Sequence, residues 1–220
     1  MSLLDLFFPR KCPYCLKLID KSQLECESCR SEFPTEPYMR ILPSGNSCVS
    51  AFIYDSKVRD ALTRYKFTGK REFYKSFASA VADAVIKSEI IADMVTSVPL
   101  SKKRMRIRGY NQSELVARET ARILGIDYAE TLIKCRENQE QHTLNHEERS
   151  TNITGVYQRI EKTDLQGKSV LLIDDIVTTG YTLSECCEVL TKNNNIKIVC
   201  GTVATAEDFF HGFPNIPNEI

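Results

Sequence analysis

Two adjacent carboxylates stand at the end of an apolar run. Residues 170–180 read VLLIDDIVTTG, so Asp174 and Asp175 follow four apolar residues and precede a turn rich in threonine. A turn that opens a helix exposes unpaired backbone N–H groups and the positive end of the helix dipole, which suit a phosphate. Thr178, Thr179 and Thr182 add hydroxyl donors, and Gly180 lets the backbone approach a ligand closely.

The carboxylates and the turn favour different parts of one ligand. Carboxylates repel phosphate, and their natural targets are hydroxyl groups or a cation. A ribose 5-phosphate carries a phosphate at one end and vicinal hydroxyl groups at the other. The segment therefore predicts a site for a phosphorylated sugar. A phosphate-accepting receiver domain fits less well, because such a domain places its paired aspartates near its N-terminus and only 45 residues follow Asp175.

A run of cations predicts a second anion site. Lys102, Lys103, Arg104, Arg106 and Arg108 fall within seven residues, just beyond the predicted strand end at residues 97–100. Arginine can bind a phosphate through two parallel hydrogen bonds. We favour Arg104 and Arg108 as functional, whereas a solvated basic loop explains the other three equally well.

Four of the nine cysteines have metal-ligand spacing. Cys12, Cys15, Cys26 and Cys29 form the frame CPYC, ten residues, CESC. Two such pairs suit a tetrahedral metal, for which zinc is the best candidate, and four thiolates leave no open position for catalysis. Two disulfides in a secreted protein, or a redox pair, are weaker alternatives because five cysteines remain and no export signal is evident. We expect these five to be mostly buried apolar residues: Cys48, Cys135, Cys186, Cys187 and Cys200.

Composition excludes several classes of protein. The formal net charge of +0 argues against binding nucleic acid through the overall field, although a local basic patch stays possible. No apolar run is long enough to span a bilayer. The first residues, MSLLDLFFPR, are apolar but carry Asp5 where a secretory signal has basic residues. We therefore expect a cytoplasmic protein.

Strands alternate with helices along residues 48–205. CVSAFIY, ADMVTSVP, IDYAETLIKC, KSVLLID and IKIVCGTVAT read as strands. The intervening segments have helical spacing, and Asn111 with Glu114 resembles a capping box that opens a helix ending at Gly125. KSVLLID lacks polar alternation, as expected of a strand buried on both faces. The pattern predicts an α/β fold with a mostly parallel sheet flanked by helices. Ligands of such sheets bind outside the carboxyl ends of the strands, where Asp174 and Asp175 stand.

The remaining segments divide the chain. We expect a four-cysteine module at residues 1–34, a Pro-rich linker at 35–47, the α/β domain at 48–208 and a tail at 209–220. Residues 135–152 are polar and without clear period, so we interpret them as a mobile loop or a short helix. His142 and His146 lie in this loop, where solvated side chains are the simpler reading.

The segment DDIVTTG resembles the 5-phosphoribosyl 1-pyrophosphate (PRPP) motif of type I phosphoribosyltransferases. This resemblance implies that Asp174 and Asp175 hold the ribose hydroxyl groups and that residues 177–182 cradle the 5-phosphate. The implied PRPP-binding residues are Asp174, Asp175, Val177, Thr178, Thr179, Gly180, Tyr181 and Thr182. The basic segment resembles the pyrophosphate loop of the same superfamily, which implies roles for Pro99, Leu100, Ser101, Lys102, Arg104 and Arg108.

The longer pattern is more specific. The cysteine frame, RGYNQ, the Gln-rich stretch ending in Arg149 and Asn152, and LLIDDIVTTGYTL together resemble the ComF (GntX-like) family of bacterial competence proteins. The resemblance implies a type I phosphoribosyltransferase fold with a small N-terminal zinc module, structural Zn²⁺, and Mg²⁺ bound with PRPP. It also implies a loop over the site that carries Arg136, Gln141, Arg149 and Asn152.

The resemblance implies a role in natural transformation. Imported single-stranded DNA would be handled in the cytoplasm alongside a competence DNA helicase. If there is turnover, it would be displacement at the anomeric carbon, with Arg104, Arg108 and Asp175 as candidate catalytic residues. One alternative is a module that binds PRPP or single-stranded DNA without turnover, in which a base stacks on Tyr110. Another is a nucleobase-salvage enzyme, although that type usually lacks the four-cysteine segment. The sequence does not identify the acceptor.

Overall fold

The chain's structure is a computed structural model that describes residues 10–136, 155–192 and 194–206. Gln141, Arg149 and Asn152, predicted in the loop over the site, lie outside the described residues, as do His142 and His146.

A six-stranded sheet forms the centre of the α/β domain. The strands are β1 (Tyr38–Ile41), β2 (Ser47–Ile53), β3 (Met94–Ser97), β4 (Asp127–Tyr128), β5 (Leu132–Lys134), β6 (Tyr157–Arg159), β7 (Ser169–Val177) and β8 (Lys197–Thr205). Their order in the sheet is β1-β2-β8-β7-β3-β4. The β1–β2 pair is antiparallel and the other neighbouring pairs are parallel, which confirms the predicted mostly parallel sheet. Strands β5 and β6 form a separate antiparallel pair.

Helices cover both faces of this sheet. They are α1 (Glu27–Glu32), α2 (Ser56–Phe67), α3 (Tyr74–Lys87), α4 (Lys102–Arg108), α5 (Gln112–Leu124) and α6 (Tyr181–Thr191), with a 3₁₀ turn at Arg71–Phe73. Leu171 and Ile173 of β7 belong to the apolar core that includes α2, α3 and α5, whereas Val170 and Leu172 belong to the core that includes α6. Burial on both faces explains why this strand has no polar alternation.

Parallel pairing brings three loops to one edge of the sheet. The segments after β2, β3 and β7 all begin at carboxyl ends of neighbouring strands, with Val95 opposite Leu171 and Ile173 opposite Gly201. The predicted basic segment follows β3, and the predicted phosphate turn follows β7. The topology therefore places both candidate anion sites at the same edge.

Four local predictions need correction. Tyr38–Ile41, expected in a linker, pairs with β2 and forms the edge of the sheet. The strand predicted at residues 126–135 is divided into β4 and β5, which belong to different sheets. The basic segment, expected to be a loop, is helix α4. Helix α5 has the predicted bounds, but Ile123, whose spacing from Val116 and Thr120 predicts that the three share one face, is 38% exposed while the other two are buried.

Candidate functional site

The acidic pair lies within β7, which continues to Val177 and thus three residues beyond the predicted strand. Oδ1 of Asp174 accepts hydrogen bonds from the Ser113 hydroxyl at 2.7 Å and from the Asp175 backbone N–H at 2.9 Å. Oδ1 of Asp175 accepts from Nζ of Lys66 at 2.9 Å. Ser113 of α5 therefore fixes one oxygen of Asp174, and Lys66 of α2 fixes one oxygen of Asp175.

The two carboxylates differ in their surroundings. Burial, followed by the negative charge of Asp175, raises the pKa of Asp174 to about 7. Asp175 is only 5% exposed, and among the described residues its Oδ2 atom has no hydrogen-bond partner. A buried carboxylate oxygen without a donor is unfavourable, so a hydroxyl group of a ligand would relieve a cost here. The atom fits the predicted contact with a ribose hydroxyl.

The turn after β7 opens helix α6. Gly180 is the N-cap residue with φ of +83°, and among the described residues no side chain caps the helix. Backbone N–H groups at this end are therefore available to an anion. Thr178 is exposed, and Thr179, Tyr181 and Thr182 are partly exposed.

The β1–β2 hairpin supports this turn from behind. Nη1 of the buried Arg40 donates to the carbonyl oxygen of Thr178 at 2.7 Å. A Cβ atom on Gly180 would lie 2.9 Å from Cδ2 of Leu42 and 3.1 Å from Cδ of Pro43. Glycine at position 180 is thus required both by its backbone angle and by the close approach of the hairpin.

The basic segment forms a short exposed helix. Ser101 caps α4, because its hydroxyl accepts from the backbone N–H of Arg104 at 3.3 Å. Lys102, Lys103, Arg104 and Arg106 are exposed, whereas Arg108 is partly buried and donates to Oε1 of Gln112. Burial lowers the pKa of Arg108, and the charge of Asp175 opposes that shift. Arg108 is therefore a cation of α4 that is partly withdrawn from water and interacts electrostatically with Asp175.

Tyr110 is not a surface for base stacking, which corrects that prediction. It is 9% exposed, its hydroxyl donates to the carbonyl oxygen of Tyr65, and its ring packs against the ring of Tyr65 at 5.6 Å. The guanidinium of Arg71 lies 5.6 Å from the centre of the same ring. Tyr110 instead connects the end of α4 to α2.

Three residues at the site were not predicted. Lys66, Ser113 and Arg40 contact Asp175, Asp174 and Thr178, respectively. Ser113 had a usable signal, since it begins a helix that follows a neighbouring strand of the sheet. Lys66 and Arg40 had no such signal in the local pattern. Arg136 is described and exposed just after β5, with no contact to the acidic pair among the described residues.

The four framed cysteines form a cluster that could hold a metal. The Sγ atoms of Cys12, Cys15, Cys26 and Cys29 lie within 4.8 Å of one another, and those of Cys15 and Cys26 are 3.5 Å apart. A tetrahedral ion with metal–sulfur bonds of about 2.3 Å needs sulfur atoms about 3.8 Å apart. A hydrogen bond from the backbone of Cys29 is the main cause that lowers the pKa of Cys26 to about 7, whereas burial raises the pKa of Cys12 and of Cys29. The donor set fits such an ion.

The cysteine cluster packs directly on the α/β domain. Cys12, Tyr14 and Cys29 are buried in the same apolar core as Phe52 and Phe77. The Tyr14 ring lies 4.5 Å from that of Phe33 and 5.8 Å from that of Phe52. Nη1 of Arg64 also donates to the carbonyl oxygen of Pro13 at 2.9 Å. Loss of structure in the cysteine cluster would therefore also disturb the apolar core of the α/β domain.

The other five cysteines are mostly buried, as expected. Cys48, Cys186, Cys187 and Cys200 are buried, whereas Cys135 is exposed.

In the parts of the chain that the structure describes, no helix has the length and apolar character needed to cross a membrane.

Two comparisons with known proteins agree on the kind of protein to which this chain is similar. A family model described as the phosphoribosyl transferase domain matches residues 111–208, which include the acidic pair and the phosphate turn. Competence protein ComFC of Streptococcus pneumoniae is 30% identical over 181 residues, which cover 82% of this chain and 74% of that protein.

Two further relatives have related names. DNA utilization protein YhgH of Salmonella typhi is 29% identical over 188 residues, covering 83% of this chain and 78% of that protein. Competence protein F of Haemophilus influenzae is 26% identical over 187 residues, covering 82% and 79%, respectively. All three matches extend well beyond the phosphoribosyl transferase domain.

Proposed function

This chain belongs to the ComF family of competence proteins with a phosphoribosyltransferase-type fold, and from that membership we infer that it binds PRPP and acts in DNA uptake. The single observation that carries the PRPP assignment is the juxtaposition at the end of β7. A buried carboxylate oxygen of Asp175 without a donor among the described residues stands five residues before the glycine that opens α6. The carboxylate oxygen would accept hydrogen bonds from hydroxyl groups, and the backbone N–H groups at the start of α6 would donate hydrogen bonds to a phosphate.

The ligand would span this edge of the sheet. The ribose hydroxyl groups would donate to Asp174 and Asp175, and the N–H groups of residues 177–182 would bind the 5-phosphate. The pyrophosphate would lie toward residues 99–108, where Arg104 and Arg108 supply positive charge. Bound Mg²⁺ would neutralise charge on the pyrophosphate oxygens.

The chemistry that suits this arrangement is displacement at the anomeric carbon of the ribose, with pyrophosphate as the leaving group. Arg108 is partly withdrawn from water, so its charge is less screened than that of the exposed cations of α4. It would stabilise negative charge that develops on the departing pyrophosphate. Lys66 and Ser113 would orient the two carboxylates.

The names of the relatives support a proposal for the cellular role. Proteins named for competence and for DNA utilization match this chain over more than 80% of its length. We propose that the protein handles imported single-stranded DNA in the cytoplasm, next to a competence DNA helicase. The exposed cations of α4 are the described surface best suited to a DNA backbone.

The cysteine cluster is proposed to hold one structural Zn²⁺. Four thiolates favour zinc among divalent ions and leave no position for substrate. The ion would fix the segment around Tyr14 against the main core, which is a structural task and needs no catalytic step.

The test of PRPP binding uses two conservative variants. Calorimetric titration with PRPP and Mg²⁺ should give binding for the wild type and none for the double variant Asp174→Asn and Asp175→Asn, with an unchanged circular dichroism spectrum. Titration with ribose 5-phosphate separates the phosphate turn from the pyrophosphate contacts. Normal PRPP binding by the double variant would overturn the site, and pyrophosphate release with candidate acceptors would distinguish an enzyme from a binding module.

A further inference from the structure

An exposed phenylalanine directly follows the lysine that pairs with Asp175. Phe67 is the last residue of α2 and is 71% exposed, although its neighbour Lys66 pairs with the buried Asp175. The guanidinium of Arg108 lies 5.2 Å from the centre of the Phe67 ring. A large aromatic side chain with a cation against it therefore lies at the surface, directly after the lysine that pairs with Asp175.

The helix that supplies this cation is positively charged. Helix α4, which carries Arg108, has no buried residue and presents Lys102, Lys103, Arg104 and Arg106 to solvent. Apolar area is also exposed on that helix, since Met105 and Ile107 are 37% and 78% exposed. Phe67 and α4 therefore form one surface that combines an aromatic face with several cations.

The chemistry of this surface favours one kind of partner. Sites for single-stranded nucleic acid combine cations that bind the backbone with aromatic rings on which bases stack. Lys102, Lys103 and Arg106 are exposed on α4 beside the two arginines that the proposed function assigns to the pyrophosphate, and three further cations favour a strand over a mononucleotide.

We propose that Phe67, flanked by Arg108, is the stacking site for a base of single-stranded nucleic acid whose phosphates contact α4. This inference deepens the proposed function, because it gives the DNA-handling role a specific aromatic contact. It also replaces Tyr110, whose ring is packed in the core. Arg108 contacts the Phe67 ring, and Lys66, which precedes Phe67, pairs with Asp175, so the stacked base would lie on the side of α2 that leads to the acidic pair.

The chain contains no tryptophan, which makes a direct test possible. Phe67→Trp would introduce a single indole at the proposed site and preserve its aromatic face. The matched control is Ile91→Trp, because Ile91 is 86% exposed and precedes β3 at the opposite edge of the sheet. Each variant is titrated with a twelve-residue oligothymidylate, an abasic oligomer of equal length and thymidine monophosphate.

We expect the oligothymidylate to quench Phe67→Trp strongly, to quench it less at higher salt, and not to quench Ile91→Trp. The abasic oligomer should bind without quenching. Equal quenching by the abasic oligomer, equal quenching of both variants, or no quenching would overturn the stacking site. Quenching by the mononucleotide at the same concentrations as the oligomer would overturn the assignment to a strand.

A second pair of variants tests affinity without the new fluorophore. Phe67→Ala should weaken oligonucleotide binding about tenfold, whereas Ile107→Ala on the same surface should leave it within about twofold. Equal losses would point to general apolar contact and overturn the stacking role. Failure of the wild type to bind PRPP, with Phe67→Trp still quenched, would remove the PRPP assignment alone, and PRPP binding without quenching would remove the stacking site alone.

Discussion

Nζ of Lys66 lies 2.9 Å from Oδ1 of Asp175, so an ion pair joins the end of α2 to the carboxyl end of the central strand. Both side chains are largely withdrawn from solvent, at 18% and 8% exposure. The contact occupies one oxygen of the carboxylate, while Oδ2 has no partner among the described residues. Lys66 therefore holds the carboxylate in a fixed orientation and leaves its second oxygen for a ligand.

Replacing Lys66 by methionine should weaken PRPP binding about tenfold and lower the free energy of unfolding by about 1–3 kcal/mol. The methionine retains the apolar stem but leaves a buried carboxylate without its cation, which costs desolvation and freedom of orientation. Calorimetric titration with PRPP and Mg²⁺ measures the first effect, and denaturant unfolding measures the second.

Lys70→Met is the matched control for this variant. Nζ of Lys70 lies 4.0 Å from Glu72, and both side chains are exposed, so the pair contributes little to stability. We expect wild-type binding and stability. If Lys66→Met also binds PRPP like the wild type, Lys66 does not position the carboxylate that binds the sugar.

The stability of the folded protein should depend on pH through the carboxyl group of Asp174. Its folded-state pKa of about 7 is raised above the value of about 3.9 expected for an unfolded chain. The folded state therefore binds the proton more tightly, and the stability from this group is complete below about pH 4 and lost as the pH rises through 7. Asp174→Asn cannot ionise, so it should melt several degrees above the wild type at pH 8 and close to it at pH 4. Melting curves across this range provide the test, and a constant difference would contradict it.

The central strand and the phosphate turn were predictable because their signals are local. Four consecutive apolar residues before Asp174 indicated burial on both faces, and both apolar cores contain residues of β7. The cysteine frame was predictable for a similar reason, since two CxxC pairs ten residues apart are typical of a metal site, and the four Sγ atoms lie within 4.8 Å of one another. Such features depend on residues close in sequence.

The supporting residues were not predictable because their partners are distant in sequence. Lys66 is 109 residues from Asp175, and Arg40 is 138 residues from Thr178. These contacts exist only after helices and strands pack. Helix α4 was missed for another reason, because exposed cations give it no apolar period, and its signals are the cap Ser101 and the left-handed Gly109 at its end.

Gly180→Ala should disrupt the phosphate turn. A left-handed angle costs a residue with a side chain about 1–2 kcal/mol, and the new Cβ would lie 2.9 Å from Cδ2 of Leu42, so the β1–β2 hairpin or the turn must shift. We expect binding of both PRPP and ribose 5-phosphate to weaken by more than about tenfold. Calorimetry with each ligand measures the loss.

Gly167→Ala separates the backbone strain from the local contact. Gly167 has φ of +71°, but a Cβ atom there meets no atom within 4 Å, and it precedes β7 at the other end of that strand. This variant should lose stability by about 1–2 kcal/mol and bind both ligands normally. A Gly180→Ala protein that binds ribose 5-phosphate like the wild type would exclude this turn as the phosphate site.

Loss of one cysteine ligand should release zinc and destabilise the whole domain. Metal analysis of freshly purified, reduced protein should find about one zinc per chain, and Cys12→Ser should lose it. Because Cys12 lies in the same apolar core as Phe52 and Phe77, we expect the melting temperature to fall by about ten degrees. The far-ultraviolet and the aromatic circular dichroism should be lost in the same transition. Cys135→Ser is the control, since Cys135 is exposed and lies outside the cluster, and it should retain both zinc and stability. Absence of zinc from the wild type would remove the metal assignment, whereas zinc loss from Cys12→Ser without any fall in melting temperature would mean that the cluster folds independently of the core on which it packs.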